Sequence, residues 1–214
     1  MRTTDLLDWT ESTQTSRRRS PFVRLVESFL DRDECALLRA RIDALSPEPA
    51  PITTRAGAVM RPDIRNNERV MFDDATLAHA WFERSVDVLP RVLHGDSPRT
   101  THREGARWDL AGLNERFRGY RYRPGQRFAP HFDGSFARTP DEVSAITFIV
   151  YLDEGCAGGE TALLDYGVTV RPQRGTLFLF DHHVLHEGAL VTRGEKYVLR
   201  TDVMYRRTGA QPCG

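Results

Sequence analysis

Ala145-Ile-Thr-Phe-Ile-Val-Tyr-Leu152, Thr176-Leu-Phe-Leu-Phe180 and Tyr197-Val-Leu-Arg-Thr-Asp-Val-Met-Tyr205 are three runs of β-branched and aromatic residues, separated by segments rich in Gly, Pro and Asp. Such runs form strands, and the apolar continuity of the first two marks them as buried. Residues 117–123, 161–164 and 168–170 share this character. Six short strands with no helical period between them predict an antiparallel barrel or a two-sheet jelly roll. Toward the N-terminus the pattern changes. Pro21-Phe-Val-Arg-Leu-Val26 alternates like one more strand. Asp31 with Glu34 then makes a capping box, and Ala36, Leu37, Leu38, Ile42 and Leu45 recur at helical spacing. Asp74 caps a second helix through Leu77, Trp81, Phe82, Val86 and Leu89, ending near Pro90. Residues 47–67 and 94–113 carry no period and read as long loops, and residues 1–20 as a disordered tail. Helices first and strands after predict an α+β, mainly β fold in which N-terminal helices buttress one sheet.

Bulk properties narrow the class. A chain of 214 residues is one large domain, or one core with an added helical layer. Thirty basic and thirty acidic residues cancel, so no global field recruits nucleic acid or an anionic membrane. The run Arg17-Arg18-Arg19 reads as a solvated tail. Three scattered cysteines (Cys35, Cys156, Cys213) and no C-x-x-C motif fit a reducing compartment and argue against a structural zinc. No apolar leader or membrane-length segment is evident, so a cytoplasmic protein is expected.

Within the strand-rich half, His131-Phe-Asp133 places two metal-binding side chains on one face of a strand, with Phe132 packing the opposite way. His186, beyond the apolar strand at 176–180, is the candidate for a third ligand from a distant strand. Two imidazoles and one carboxylate with open positions are the ligand set of mononuclear iron(II) oxygenases. The dipeptide pattern alone is weak. It recurs in His94-Gly-Asp96, in a turn with no strand to hold it, and His102 and Glu104 form a similar pair. His182 and His183 compete with His186 and are equally readable as polar residues at a strand exit.

Context separates them. Before His131 stands Tyr120-Arg-Tyr-Arg-Pro-Gly-Gln-Arg-Phe128, a strand broken at a Pro-Gly turn. After Asp133 come the run 145–153 and Gly158-Gly-Glu-Thr161. After His186 come Gly188 and Gly194-Glu-Lys-Tyr-Val-Leu-Arg-Thr-Asp202. This ordered set, over residues 115 to 206, resembles the prolyl 4-hydroxylase-like iron(II)- and 2-oxoglutarate-dependent dioxygenases. The resemblance implies a double-stranded β-helix core, iron(II) on His131, Asp133 and His186, O2 and 2-oxoglutarate as cosubstrates, and ascorbate as reductant. It also implies release of succinate and CO2 coupled to hydroxylation of an unactivated C–H bond. Residues 21–114 are then helical support and a lid loop of the same domain, 115–207 the catalytic core, and 208–214 a tail.

A 2-oxoglutarate bound to iron by its keto-acid end leaves a second carboxylate to be buried, which requires a paired cation. On the last strand Lys196, Val198, Arg200 and Asp202 share one face. Lys196 matches the family register for the anchor, while Arg200 is alternatively a partner of Asp202 or a substrate contact. Tyr151 resembles a family tyrosine donating to the same carboxylate, and Tyr122 offers another hydroxyl. Either is also readable as a core aromatic, and Thr161 as ordinary packing. The substrate is a prolyl or other protein side chain, or a free amino acid or small metabolite. Arg55, Arg61, Arg65, Arg69, Arg121, Arg123 and Arg127 suit an acidic one, or are simply solvated. The alternatives to an oxygenase are a cupin-like metalloprotein or jelly-roll binding module without 2-oxoglutarate, and a silent interaction module. Oligomeric state is not legible.

Overall fold

A computed structural model describes residues 1–8, 21–54, 56–94 and 106–208. Two sheets face each other, and the chain winds alternately between them. Arg116–Tyr122 lies in the large sheet, Phe128–His131 in the small one, Glu142–Tyr151 in the large, and Thr161–Leu163 with Val168–Val170 in the small. Leu177–Asp181 (large), His186–Gly188 (small) and Lys196–Thr208 (large) complete the winding, which is that of a jelly roll. The large sheet has eleven strands, with Leu177–Asp181, Glu142–Tyr151, Lys196–Thr208 and Arg116–Tyr122 side by side at its centre.

The apolar residues divide between the two faces of this sheet. Phe117, Phe148, Val150, Leu177, Leu179 and Leu199 point outward into one cluster, and Tyr120, Tyr122, Ile149, Tyr151, Phe178, Phe180 and Val198 point toward the small sheet. Every residue of Glu142–Tyr151 is buried because both faces are covered. On the outer face lie helix α1 (Arg32–Ala44) and helix α2 (Ala75–Ser85). The Asp31–Glu34 capping box is present, and Asp74 Oδ1 accepts from the Leu77 amide at 2.9 Å. Trp81 of α2 stacks on Phe148 at 5.7 Å and meets Phe117 edge-on at 5.4 Å. The side chain of Ile42 on α1 abuts Gly119, where a Cβ would lie 2.6 Å from its Cγ1.

Several sequence expectations are corrected. Arg2–Asp5 is not a disordered segment but an edge strand on Val23–Glu27, tied across by Arg2–Glu27 and Arg24–Asp5 ion pairs. The 47–67 stretch is not a plain loop: it holds a short strand at Glu48–Pro49 and a hairpin, Ile52–Thr54 with Gly57–Val59. Glu68–Asp73, which shows no clean alternation, pairs with Arg116–Tyr122. Arg107–Leu113 is a strand on the far half of Lys196–Thr208; a register shift opposite Met204 and Tyr205, with Gly112 at φ 148°, breaks the alternation that would have revealed it. On α1 the buried residues are Cys35 and Ile42, whereas Leu37 and Leu45 are exposed, so the inner stripe is rotated from the one expected. Phe132, expected to pack on the opposite face, is 59% exposed. Residues 9–20, Arg55, 95–105 and 209–214, among them Arg17, Arg18, Arg19, Asp96, His102, Glu104 and Cys213, lie outside the described residues. No helix among the described residues is long and apolar enough to cross a membrane.

Candidate metal centre and adjoining pocket

His131 and His186 are directly opposed partners on neighbouring strands of the small sheet, so their rings meet at 4.2 Å between centroids. His131 Nδ1 faces the Ala129 carbonyl at 2.9 Å and His186 Nδ1 the Val184 carbonyl at 3.0 Å. A carbonyl only accepts, so each Nδ1 carries the proton and each Nε2 presents a lone pair. Both lone pairs are aimed at Asp133: Nε2 of His131 lies 3.8 Å from Oδ1, and Nε2 of His186 lies 3.6 Å from Oδ2. Ligand atoms of the three residues all fall within 4.8 Å of one another. Burial pushes the His131 imidazole down to about 3 and lowers His186 as well, which keeps both neutral and able to bind a cation. Phe128 stacks on His131 at 3.5 Å and Phe180 meets His186 edge-on at 4.6 Å, fixing both ring planes.

The carboxylate is held as firmly. Burial alone would raise the Asp133 pKa, but the Arg200 guanidinium, followed by the imidazoles, holds it well below the usual range. Arg200 Nη1 donates to Oδ1 at 2.6 Å, and Thr147 Oγ1 donates to Oδ2 at 2.5 Å. Thr147 must then accept from His182 Nδ1 at 2.9 Å, so His182 Nε2 accepts from Ser144 Oγ at 3.0 Å. His182 is therefore a buried neutral link in a directed chain from Ser144 to Asp133, with its pKa pushed by burial to about 4. His183 is half-exposed, 4.0 Å from Asp181 Oδ2. Neither joins the cluster. His94 ends an edge strand of the large sheet, Val92–His94.

Behind the cluster the face shared by Lys196, Val198, Arg200 and Asp202 points inward, as expected from the period of two. Its two cations differ. Arg200 is committed to Asp133 and, through Nη2 at 3.0 Å, to Asp202, whose other oxygen takes Arg118 at 3.0 Å. Lys196 is 3% exposed and makes no ion pair with a carboxylate among the described residues. Its Nζ donates to the Gly159 carbonyl at 2.6 Å and sits 5.0 Å from the Tyr122 ring and 5.7 Å from the Tyr151 ring. Burial pushes its pKa down to about 8. Gly158, at φ 73°, makes this turn possible, since a Cβ there would strike the Leu190 carbonyl at 2.0 Å. Tyr151 donates to Thr161 Oγ1 at 2.8 Å, and the Tyr122 hydroxyl lies beside Gly188.

The donor set fits iron(II), whose neutral imidazole and carboxylate ligands occupy one side and leave the other to exogenous groups. Thr147 was missed in the sequence as part of the site. It is the one polar residue in the run 145–152, and that isolation was the available signal. Arg65, one of the arginines that suit an acidic substrate or are simply solvated, is not solvated: it is 5% exposed, with its guanidinium 4.3 Å from the Phe128 ring and 4.8 Å from the Tyr120 ring.

Residues 117–201 match the family described as the 2OG-Fe(II) oxygenase superfamily. No curated protein sequence matches the chain. Among solved structures, a Pseudomonas putida prolyl-4-hydroxylase is similar over 87% of this chain and 92% of its own, at 21% identity and a TM-score of 0.59. A viral collagen prolyl hydroxylase of Paramecium Bursaria Chlorella virus-1, solved as a 2OG complex, is similar over 86% of this chain and 96% of its own, at 19% identity and a TM-score of 0.57. A Trichoplax adhaerens prolyl hydroxylase, solved with a hypoxia inducible factor peptide fragment, covers 85% and 82% respectively, at 15% identity and a TM-score of 0.56.

Proposed function

From the match of residues 117–201 to the 2OG-Fe(II) oxygenase superfamily, we propose that this chain is an oxygenase of that family and hydroxylates an unactivated C–H bond of a peptide or protein side chain. His131, Asp133 and His186 would hold the iron. Iron(II) with 2-oxoglutarate and O2 supplies the oxidant, and succinate and CO2 are released. The observation that carries this reading is the pair of pinned imidazoles facing Asp133, with a buried, unneutralised Lys196 behind them.

The protein's own residues do the rest. Lys196 binds the distal carboxylate of 2-oxoglutarate, which supplies the counter-charge the buried amine lacks. Tyr151 and Tyr122 wall that end, and Thr161 holds the Tyr151 hydroxyl. Arg200 and Thr147 orient Asp133, so Arg200 serves the metal ligand rather than the cosubstrate. The two helices support the outer face of the large sheet, as one domain with the core. A peptide substrate is favoured because the similar Trichoplax enzyme was solved with a peptide fragment. Ascorbate, as in the family resemblance, would keep the iron reduced. A jelly roll that does not use 2-oxoglutarate would have no use for a buried lysine at this depth.

The test is anaerobic addition of Fe(II) and then 2-oxoglutarate to the purified protein. A visible metal-to-ligand charge-transfer band is expected in wild type and absent in His131→Ala. Iron binding without the band would mean a metal site of another kind.

A further inference from the structure

The inner face of the large sheet carries more positive charge than the metal site uses. In the strand register Arg69, Tyr120 and Val198 form one row, and Arg118 and Arg200 lie opposite each other in the next. Residues directly opposed on neighbouring strands share a face, so three arginines line the same wall beside Tyr120. A fourth, Arg65, lies over the Tyr120 ring from the 61–67 segment, which is bonded to the metal strand by Ala129 N to Ile64 O at 2.8 Å. Among the described residues, only two carboxylates answer these four guanidiniums. Asp202 is shared by Arg118 and Arg200, and Asp133 belongs to the metal ligands.

Arg65 and Arg69 have no carboxylate within ion-pair distance among the described residues. Arg65 Nε donates to Asn67 Oδ1 at 2.8 Å, but its Nη2 is buried without a hydrogen-bond partner. Arg69 is half-buried, and burial together with Arg65 and Arg118 lowers its pKa, with no acidic side chain but the Tyr120 phenol opposing that. Three other arginines of this region are neutralised elsewhere, while Arg127 reaches only the Asp63 carbonyl, at 3.4 Å. Arg61 pairs with Asp63, and Arg121 and Arg123 pair with Glu68. A buried guanidinium with an unused N–H is unfavourable unless an acceptor reaches it, and a planar fork is best matched by a carboxylate.

We propose that Arg65 and Arg69, beside Tyr120, form a carboxylate-binding subsite for the substrate, so that the hydroxylated residue is presented next to an acidic group. This rests on the oxygenase reading. It separates two anion sites, Lys196 for 2-oxoglutarate and the arginine pair for the substrate.

The test uses protein loaded with Fe(II) and saturating 2-oxoglutarate under nitrogen, with the charge-transfer band recorded first. Thermal unfolding is then followed against an acetylated Gly-Glu-Pro-Glu-Gly peptide, its Gln-Pro-Gln counterpart and N-acetylglutamate, at matched ionic strength. The acidic peptide is expected to stabilise the protein with an apparent affinity about tenfold or more above the amide peptide, as for a charge-assisted bidentate contact. Stabilisation by N-acetylglutamate alone would support the subsite and point to a free acid as its source. The effect should vanish in Arg65→Gln and in Arg69→Gln, the latter a half-buried position that keeps the test open if the former does not fold. It should persist in Arg91→Gln, an exposed control far from the pocket. No distinction between acid and amide probes, or an effect that survives Arg69→Gln, overturns the subsite. Absence of the band overturns the oxygenase reading instead.

Discussion

Lys196 and Arg200 stand four residues apart on one face of the last strand, and burial acts on them with opposite outcomes. Burial disfavours both charges, but Asp133 and Asp202 outweigh it at Arg200, whose pKa is raised, whereas nothing of that size opposes it at Lys196. The lysine therefore titrates near pH 8 in the protein and near 10.5 when unfolded. Between those values the unfolded chain binds more protons, so stability of the ligand-free protein should rise with pH across that window. With Lys196 as the proposed anchor, binding of 2-oxoglutarate would need the charged amine, so affinity is expected to be flat below about pH 8. Above it, affinity should weaken by roughly tenfold per unit. Titrating the charge-transfer band from pH 6.5 to 9.5 measures this, and Lys196→Arg should flatten the profile; a flat wild-type profile would remove Lys196 as the anchor. Arg200 makes a different case. Arg200→Gln strips a buried carboxylate pair of its shared cation, a loss of about 3–5 kcal/mol in urea unfolding. Where the variant folds, Fe(II) affinity should also fall, by roughly 10- to 100-fold, because Asp133 is no longer held. Unchanged iron affinity would leave Arg200 a purely structural residue.

At the scale of elements, the sheet accepts α1 only because residue 119 has no side chain. A Cβ there would lie 2.6 Å from Ile42 Cγ1, 2.9 Å from Ile42 Cδ1 and 3.0 Å from Val70 Cγ2. Gly119→Ala is thus an overpacking change, expected to cost about 1–3 kcal/mol by denaturant unfolding. Shortening the helix residue as well, in Gly119→Ala with Ile42→Val, should recover part of that loss; additive costs would show that the two do not meet. The same contact explains what was legible in the sequence. Strands buried on both faces, such as Glu142–Tyr151, advertise themselves through continuous apolar runs, and the capping box at Asp31 names its own helix. Arg107–Leu113 and Glu68–Asp73 take their strand form from partners far along the chain, and no local pattern records a partner. The cluster of His131, Asp133 and His186 was legible because the first two lie two residues apart and His186 sits among turn signals. Which arginine is paired and which is not depends on Asp202, Asp133 and Glu68 arriving from separate strands, and spacing carries no trace of that.

Across the whole molecule the site joins two sheets of unequal strength. His131 and His186 stand on the small sheet, whose strands run only three or four residues, while Thr147, Lys196 and Arg200 belong to the long strands at the centre of the large one. Local opening free energies follow buried contact and hydrogen bonding, so Glu142–Tyr151 and Lys196–Thr208 should exchange their amides only through global unfolding, and the small sheet through smaller openings. A metal held by His131, Asp133 and His186, as proposed, would link two segments of the small sheet that are otherwise joined through short ladders, and 2-oxoglutarate held by Lys196 would tie the site to the large sheet. Ligand stabilisation acts on every opening that breaks the site, by about 2.7 kcal/mol at a hundredfold excess over the dissociation constant. Hydrogen exchange with Co(II), a redox-inert stand-in, should therefore slow in Phe128–His131, Thr161–Leu163 and His186–Gly188. Adding 2-oxoglutarate should slow them further, with the central large-sheet amides the least changed. Equal slowing in all strands would mean that the small sheet does not open separately, and slowing confined to the large sheet would place the metal elsewhere.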